Sequence, residues 1–143
     1  LVLDPKSGGY VAQRGVSRPE LGFIVEISNL HRVGRYEDGM RAFAAAEGPH
    51  AELAQKVIAG YISYSFHRVG EVTETIDGID RIMGYGFNWA PPSVLVDTIG
   101  LQNSIAMMER TGVPVPNALA SAEKGTKFFN DPRVNAGKFF VAA

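Results

Sequence analysis

The sequence contains no cysteine, which excludes disulfide bonds, a thiol nucleophile and a thiolate metal site. No apolar run approaches the roughly 20 residues that a membrane-spanning helix needs, and no signal peptide is recognisable. The net charge of −1 lacks the basic excess that is typical of nucleic-acid-binding domains. From these absences we expect a cytoplasmic protein that binds neither nucleic acid nor membrane.

Sequence motifs for metals and nucleotides are also missing. The three histidines, His31, His50 and His67, form no H-x-x-x-H pair, which argues against a metal site. Gly84 and Gly86 lack the third glycine of a dinucleotide-binding loop, and they end a predicted helix where such a loop opens one. The sequence therefore predicts no metal ligand, no cofactor-binding residue and no NAD bound by this chain.

The composition, with 45% hydrophobic and 20% charged residues in a chain of 143, is that of an ordinary globular protein. Its periodicity predicts an all-α fold, a helical bundle with a small extended or hairpin tail formed by residues 127–129 and 138–141. We divide the chain into a linker or leader with short helices, 1–48, and a helical domain, 49–143. The first predicted helix is capped by Ser17 ahead of Pro19 and ends before Gly34. The others cover 36–46, 50–75, 92–99, 101–111 and 117–124.

The longest predicted helix, 50–75, has only a narrow polar stripe, so we expect protein to surround most of it. Gly60 lies in its middle, and close packing against a neighbouring helix is the expected reason for a glycine there. His67 and Glu71 stand four positions apart on this predicted helix. They could form a general-base pair, but a surface pair between adjacent turns is the interpretation that we favour.

The densest local signals lie between residues 79 and 100, and the helix in which they begin starts just before them. Asp77 is a predicted N-cap, with Asp80 reaching back in a capping-box arrangement. Gly86 is predicted to end that helix in a left-handed conformation, with Phe87 folded back onto Ile82. Two prolines then begin a short helix that a glycine ends. The segment therefore predicts two helices joined by a tight aromatic corner.

This segment, IDRIMGYGFNWAPPSVLVDTIG, resembles the helical C-terminal domain of the 3-hydroxyacyl-CoA dehydrogenases, in which D-I-D-x-x-M-x-x-G-F-G-W-x-x-G-P-F-x-L-x-D-x-x-G recurs. The chain departs from the pattern at Asn88 and at Pro91, where glycine is usual. The loop after the tryptophan is also about one residue short. The matching residues are Asp80, Met83, Gly86, Phe87, Trp89, Pro92, Leu95, Asp97 and Gly100.

The resemblance implies that the parent enzyme uses NAD to oxidise a 3-hydroxyacyl-CoA in fatty-acid β-oxidation. The chain looks most like the second helical copy of longer dehydrogenases, some of them fused to an enoyl-CoA hydratase. Its implied partners are the Rossmann domain and the first helical domain, with acyl-CoA contacted indirectly, and a homodimer is one assembly that the resemblance allows. The alternative is a non-catalytic helical protein-interaction module.

No catalytic residue is expected in this chain. Glu26 stands where the family has an asparagine in its first helix, and Lys127 stands for a histidine in a stretch that resembles H-F-F-N-P. The isolated chain is therefore predicted to be inactive. The residues expected near substrate are Phe87, Asn88, Trp89 and Pro92, although burial in the core is the competing interpretation for the two aromatic side chains.

Overall fold

The computed structural model describes residues 1–12 and 21–130. A two-stranded antiparallel hairpin, β1 (Val2–Leu3) and β2 (Tyr10–Val11), precedes seven helices within those residues. The helices are α1 (Gly22–Arg32), α2 (Tyr36–Ala45), α3 (Pro49–His67), α4 (Ile76–Arg81), α5 (Pro92–Ile99), α6 (Leu101–Thr111) and α7 (Asn117–Ala120). The predicted all-α fold class is confirmed. Among the described residues, no helix is both long and apolar enough to cross a bilayer.

The core lies where α3, α5 and α6 meet, and α2 closes one side of it. Ile62 of α3, Ile99 of α5 and Met107 of α6 are fully buried there. Phe43 and Ala44 of α2 pack into the same cluster. Helix 2 thus contributes to the core of the bundle, while the division of the chain at residue 48 stays a prediction.

Several predicted elements agree closely with the structure. Helix 6 occupies the predicted residues and ends at Gly112, which has a left-handed φ of 69°. Helix 5 begins at Pro92 and ends before Gly100, whose φ is 95°. Helix 2 ends one residue earlier than predicted. The predicted Ser17 cap of α1 falls outside the described residues.

Extended structure occurs at the start of the chain, whereas the predicted hairpin of residues 127–129 and 138–141 stays a prediction. Residues 1–12, predicted to be a linker, form the two short strands. Residues 127–129 are in no strand among the described residues, and the backbone N–H groups of Phe128 and Phe129 donate to the carboxylate of Asp97. Residues 138–141 lie outside the described part of the chain.

Helix 3 ends at His67, eight residues before its predicted end. Arg68 caps it, and Gly70 then adopts a φ of 87°, which favours glycine. The Gly70 N–H donates to the Thr73 carbonyl at 2.7 Å and closes a turn there. The outward face of α3 is not covered by any described residue, because Leu53, Val57 and Tyr64 are exposed. The expectation of a mostly surrounded helix was therefore wrong.

The predicted packing role of Gly60 was also wrong. A Cβ added at this position would have no described atom within 4 Å beyond its own helix and chain neighbours. The close approaches lie elsewhere: a Cβ at Gly39 would meet the His31 ring at 2.6 Å, and one at Gly78 would meet Thr73 at 2.7 Å.

Candidate functional site

The corner between α4 and α5 is built differently from the predicted helix stop. Helix 4 continues into a π-helical turn, Ile82–Gly86, and Gly86 does not have a positive φ. The left-handed residue is Asn88, with a φ of 53°. The N–H groups of Phe87 and Trp89 both donate to the carbonyl of Met83, at 3.3 and 3.0 Å. The chain thus reverses two residues later than predicted.

The left-handed backbone explains the residue at position 88. Asparagine is among the few residues other than glycine that adopt this conformation without a large energetic cost. In the resembled pattern, glycine stands at this position. Asn88 can therefore keep the geometry of the corner while adding a polar side chain, which is exposed.

The structure brings together three of the four residues predicted to lie near substrate. Phe87, Asn88 and Trp89 are consecutive and face solvent, with Phe87 65% and Trp89 52% exposed. The competing interpretation of these aromatics as core residues was wrong, because the later reversal of the chain turns them outward. Pro92 is buried in the first turn of α5, where its missing N–H leaves no donor unpaired.

Tyr61 of α3 holds the corner against the bundle. Its ring packs edge-on against Trp89 with the ring centroids 5.4 Å apart. Its hydroxyl donates to the carbonyl of Ala90 at 2.8 Å. Both contacts hold the backbone that follows Asn88, while Trp89 stays 52% exposed.

Asp80 lies behind the corner and caps the start of α5. Its carboxylate is 1% exposed and accepts the Ser93 N–H at 3.1 Å together with the Ser93 hydroxyl. The predicted capping box with Asp77 was wrong. The N-cap of α4 is Thr75, and no side chain makes the cap bond. Asp80 therefore accepts hydrogen bonds from Ser93, which lies thirteen residues further along the chain at the start of α5. Rules that consider only neighbouring positions in the sequence could not have identified this partner.

The pKa of Asp80 is raised to about 6, mainly by burial and to a smaller extent by the carboxylates of Asp77 and Asp97, while the Ser93 hydrogen bonds lower it. Burial likewise raises the pKa of Tyr61, with a smaller contribution from the charge of Asp80. The carboxylate titrates close to neutral pH, but it faces Ser93 in the interior of the bundle.

The His67 and Glu71 pair does not exist in the structure. Nδ1 of His67 lies 2.8 Å from the Ser63 carbonyl, and Glu71 pairs with Arg68 at 2.7 Å. Both the general-base pair and the surface pair were therefore wrong, because Glu71 lies beyond the end of α3.

A buried polar network, which the sequence analysis missed, ties α2, α3 and α6 together. The Gln55 amide donates to the carbonyls of Phe43 and Ala46, both at 2.8 Å. Arg110 donates to the Ala44 carbonyl at 2.7 Å and to the Gln55 side-chain oxygen at 3.0 Å. The sequence feature that could have indicated this network is Gln55, a polar residue on the same side of α3 as Ala51, Ala59 and Ile62.

Two open clefts lie away from the corner. One of about 440 Å³ runs between the start of α3 and the end of α6, and one of about 290 Å³ lies beside the start of α6. The corner residues line neither cleft. Among the described residues, no group of three metal-ligating side chains comes together. The corner is therefore suited to contact through aromatic surface.

Comparison with known proteins gives one distant similarity. A probable 3-hydroxyacyl-CoA dehydrogenase of Bacillus subtilis (strain 168) is 28% identical over 92 residues. The match covers 63% of this chain and 12% of the relative, so the chain corresponds to about an eighth of that protein's length. No protein-family model matches the chain, and no solved structure matches it. The chain is a helical protein with distant, partial similarity to a dehydrogenase.

Proposed function

We propose that this chain is the helical C-terminal type of domain from an NAD-dependent 3-hydroxyacyl-CoA dehydrogenase of fatty-acid β-oxidation. The similarity to the probable dehydrogenase of B. subtilis is the observation that carries the proposal. In this proposal, hydride transfer to NAD takes place on a separate Rossmann domain. The helical chain packs beside that domain and shapes the acyl-CoA site without supplying a catalytic group.

The geometry of the corner supports the proposal. The backbone of Asn88 is left-handed, which explains why the family pattern has glycine at this position. Pro92 occupies the first turn of α5, and Gly100, with a positive φ, ends that helix. Asp97 binds the N–H groups of two consecutive residues, Phe128 and Phe129, at 3.0 and 3.1 Å. Pro92, Asp97 and Gly100, which match the family pattern, thus hold structural positions that restrict the type of residue.

The exposed surface of Phe87, Asn88 and Trp89 is our candidate for contact with the catalytic part of the enzyme. Exposed aromatic side chains are enriched where proteins bind one another, because each buries a large apolar area. Asn88 adds a hydrogen-bonding amide between the two rings. We expect these residues to face the domain that holds acyl-CoA and to contact the substrate indirectly.

Fluorescence of Trp89, the sole tryptophan, tests this placement. The titrant is the B. subtilis relative without its 92 matched residues. We expect a saturable blue shift, since docking removes the ring from water, and weaker binding for Phe87→Ala. Tyr10→Ala, a change of an equally exposed aromatic residue on the hairpin, is the control.

A second assay tests the absence of catalysis. The purified chain with NAD and 3-hydroxybutyryl-CoA should form no NADH above background. Turnover at an enzyme-like rate would refute the proposal, and so would equal losses of binding for Phe87→Ala and Tyr10→Ala. The alternative, an interaction module without any dehydrogenase partner, predicts no fluorescence change with the truncated relative.

A further inference from the structure

The wider of the two clefts lies between the first two turns of α3 and the last turn of α6, and its volume is about 440 Å³. That volume falls within the range of roughly 300–1,000 Å³ that is typical of small-molecule sites. The residues that line the cleft are Pro49, Glu52, Leu53, Lys56, Arg110 and Thr111. They combine positive, negative and apolar side chains within one concave surface.

Arg110 is held at one side of this cleft by the interior of the bundle. Its Nη2 donates to the Ala44 carbonyl at 2.7 Å and to the side-chain oxygen of Gln55 at 3.0 Å. Gln55 is fully buried, and its own amide is held by further hydrogen bonds to backbone carbonyls. Because both Arg110 bonds use Nη2, the donors of Nη1 and Nε have no acceptor among the described residues. The guanidinium is therefore fixed in place and still able to bind an anion.

Lys56 brings a second positive charge to the same cleft. It forms no ion pair among the described residues, and neither does Glu52, although the two stand four positions apart on α3. That spacing on a helix permits such a pair. Hydrogen bonds from cations to a carboxylate are stronger than those between neutral groups. The cleft therefore suits a carboxylate that lies between Lys56 and Nη1 of Arg110.

The other lining residues restrict which carboxylate fits. Glu52 lies about 6 Å from Lys56 along the helix axis, so it would repel a second negative charge and attract an ammonium group. Pro49 and Leu53 add an apolar wall, and Leu53 is 65% exposed. A ligand that matches the whole lining carries a carboxylate, an ammonium group and an apolar side chain.

We propose that this cleft binds a zwitterionic α-amino acid with an apolar side chain. Its carboxylate contacts Arg110 and Lys56, its ammonium group contacts Glu52, and its side chain packs against Leu53. The proposal uses only the cleft between α3 and α6, which the aromatic corner does not line. Failure of the proposed dehydrogenase assignment would thus leave it untouched, and the reverse also holds.

Nuclear magnetic resonance titration of the ¹⁵N-labelled chain with leucine tests the binding. The amide signals of residues 52–56 and 110–111 should shift saturably, with a Kd of about 1 mM because the cleft is open to water. Removing either charged group from the ligand should weaken binding at least about fivefold, as measured with 4-methylpentanoate and 3-methylbutylamine. Equal binding of the three compounds, or no saturable shift with leucine up to about 20 mM, would overturn the proposal.

Two substitutions assign the charges of the ligand to residues of the cleft. Glu52→Gln should abolish the preference for leucine over 4-methylpentanoate, since it removes the partner of the ammonium group. Lys56→Gln should weaken the binding of both compounds about fivefold. Both changes leave the hydrogen bonds of Arg110 to the bundle intact, and circular dichroism checks the fold.

The control is Lys124→Gln, the same change at an exposed lysine that lines the other cleft. It should bind leucine as the unmodified chain does. An unchanged preference in Glu52→Gln, or equal losses in Lys56→Gln and Lys124→Gln, would contradict the proposal.

Discussion

Asp80 is the residue whose surroundings depart most from those in water. Its carboxylate is buried, accepts two hydrogen bonds from Ser93, and has its pKa raised to about 6, mainly by burial. The ionised form is thus held at an energetic cost at neutral pH, although the Ser93 donors reduce that cost. The residue that fixes the start of α5 is therefore also a source of pH-dependent stability.

The sign of that dependence follows from the raised pKa. The folded chain holds the Asp80 proton more tightly than the unfolded chain, where the pKa is near 3.8. The stabilisation is therefore complete below that value and is lost as the pH rises through about 6. Relative to Asp80→Asn, which cannot titrate, the wild-type chain should lose on the order of 2 kcal/mol of unfolding free energy between about pH 4 and about pH 7.5.

Urea unfolding of both chains across this pH range measures the difference. Ser93→Ala sharpens the test, because loss of the hydroxyl donor removes a group that favours the ionised carboxylate. This variant should lose stability more steeply with rising pH than the wild-type chain. Parallel stability curves for the wild-type chain and Asp80→Asn would contradict the assignment of the pH dependence to Asp80.

Replacing each of two helical glycines by alanine should change the free energy of unfolding in opposite directions. Gly60→Ala should raise the free energy of unfolding by about 1 kcal/mol, since the added methyl meets open space and alanine favours the helix. Gly78→Ala should lower it by about 1–3 kcal/mol, because the new Cβ would lie 2.7 Å from Thr73. Chemical unfolding measures both changes in stability. Destabilisation of similar size by the two variants would show that Gly60 is packed.

At the scale of elements, the sequence predicted structures whose signals are local. Helix 6 and its stop at Gly112 follow from apolar spacing and a glycine that can take a left-handed φ. The start of α5 follows from proline, which lacks an N–H. Prediction failed where the structure of an element depends on a residue that is distant in the sequence. The capping role of Asp80 needs Ser93 beside it, and that contact exists only after α4 and α5 pack together.

The corner and the end of α3 failed for a related reason. Gly86 and Asn88 are both able to reverse the chain, and local sequence favours glycine, yet the π-helical turn moves the reversal to Asn88. The apolar spacing of α3 continues through Val69 and Val72, but the turn closed by Gly70 and Thr73 ends the helix first. The sequence predicted the aromatic corner between α4 and α5 but not the residue at which the chain reverses, and the contact of Phe87, Asn88 and Trp89 with substrate stays a prediction.

The buried network of Gln55 and Arg110 supports the end of α2. Gln55→Leu should lower the free energy of unfolding by about 2–3 kcal/mol, because the carbonyls of Phe43 and Ala46 lose their donor inside the bundle. Hydrogen exchange should accelerate in the last turn of α2 before it does so in α6. Gln102→Leu, the same change at an exposed position, should leave stability within about 0.5 kcal/mol. Equal effects of the two changes would contradict a structural role for the network.

At the scale of the whole molecule, the helical core supports two separate exposed surfaces. The aromatic corner is anchored from behind by Tyr61 and by the Asp80–Ser93 contact, and its rings face outward. Leu53, Val57 and Tyr64 form an exposed apolar stripe on the outer side of α3. In the function that we propose, the aromatic corner is the surface that contacts the catalytic part of the enzyme.

NADH production by a chimera tests the central claim most directly. In the chimera, the 92 matched residues of the B. subtilis relative are replaced by the corresponding residues of this chain. With 3-hydroxybutyryl-CoA and NAD, we predict activity within about tenfold of the unmodified relative, and a much larger loss when the chimera also carries Phe87→Ala and Trp89→Ala. A chimera that unfolds cooperatively and binds NAD, yet is no more active than the relative without those 92 residues, would contradict the account.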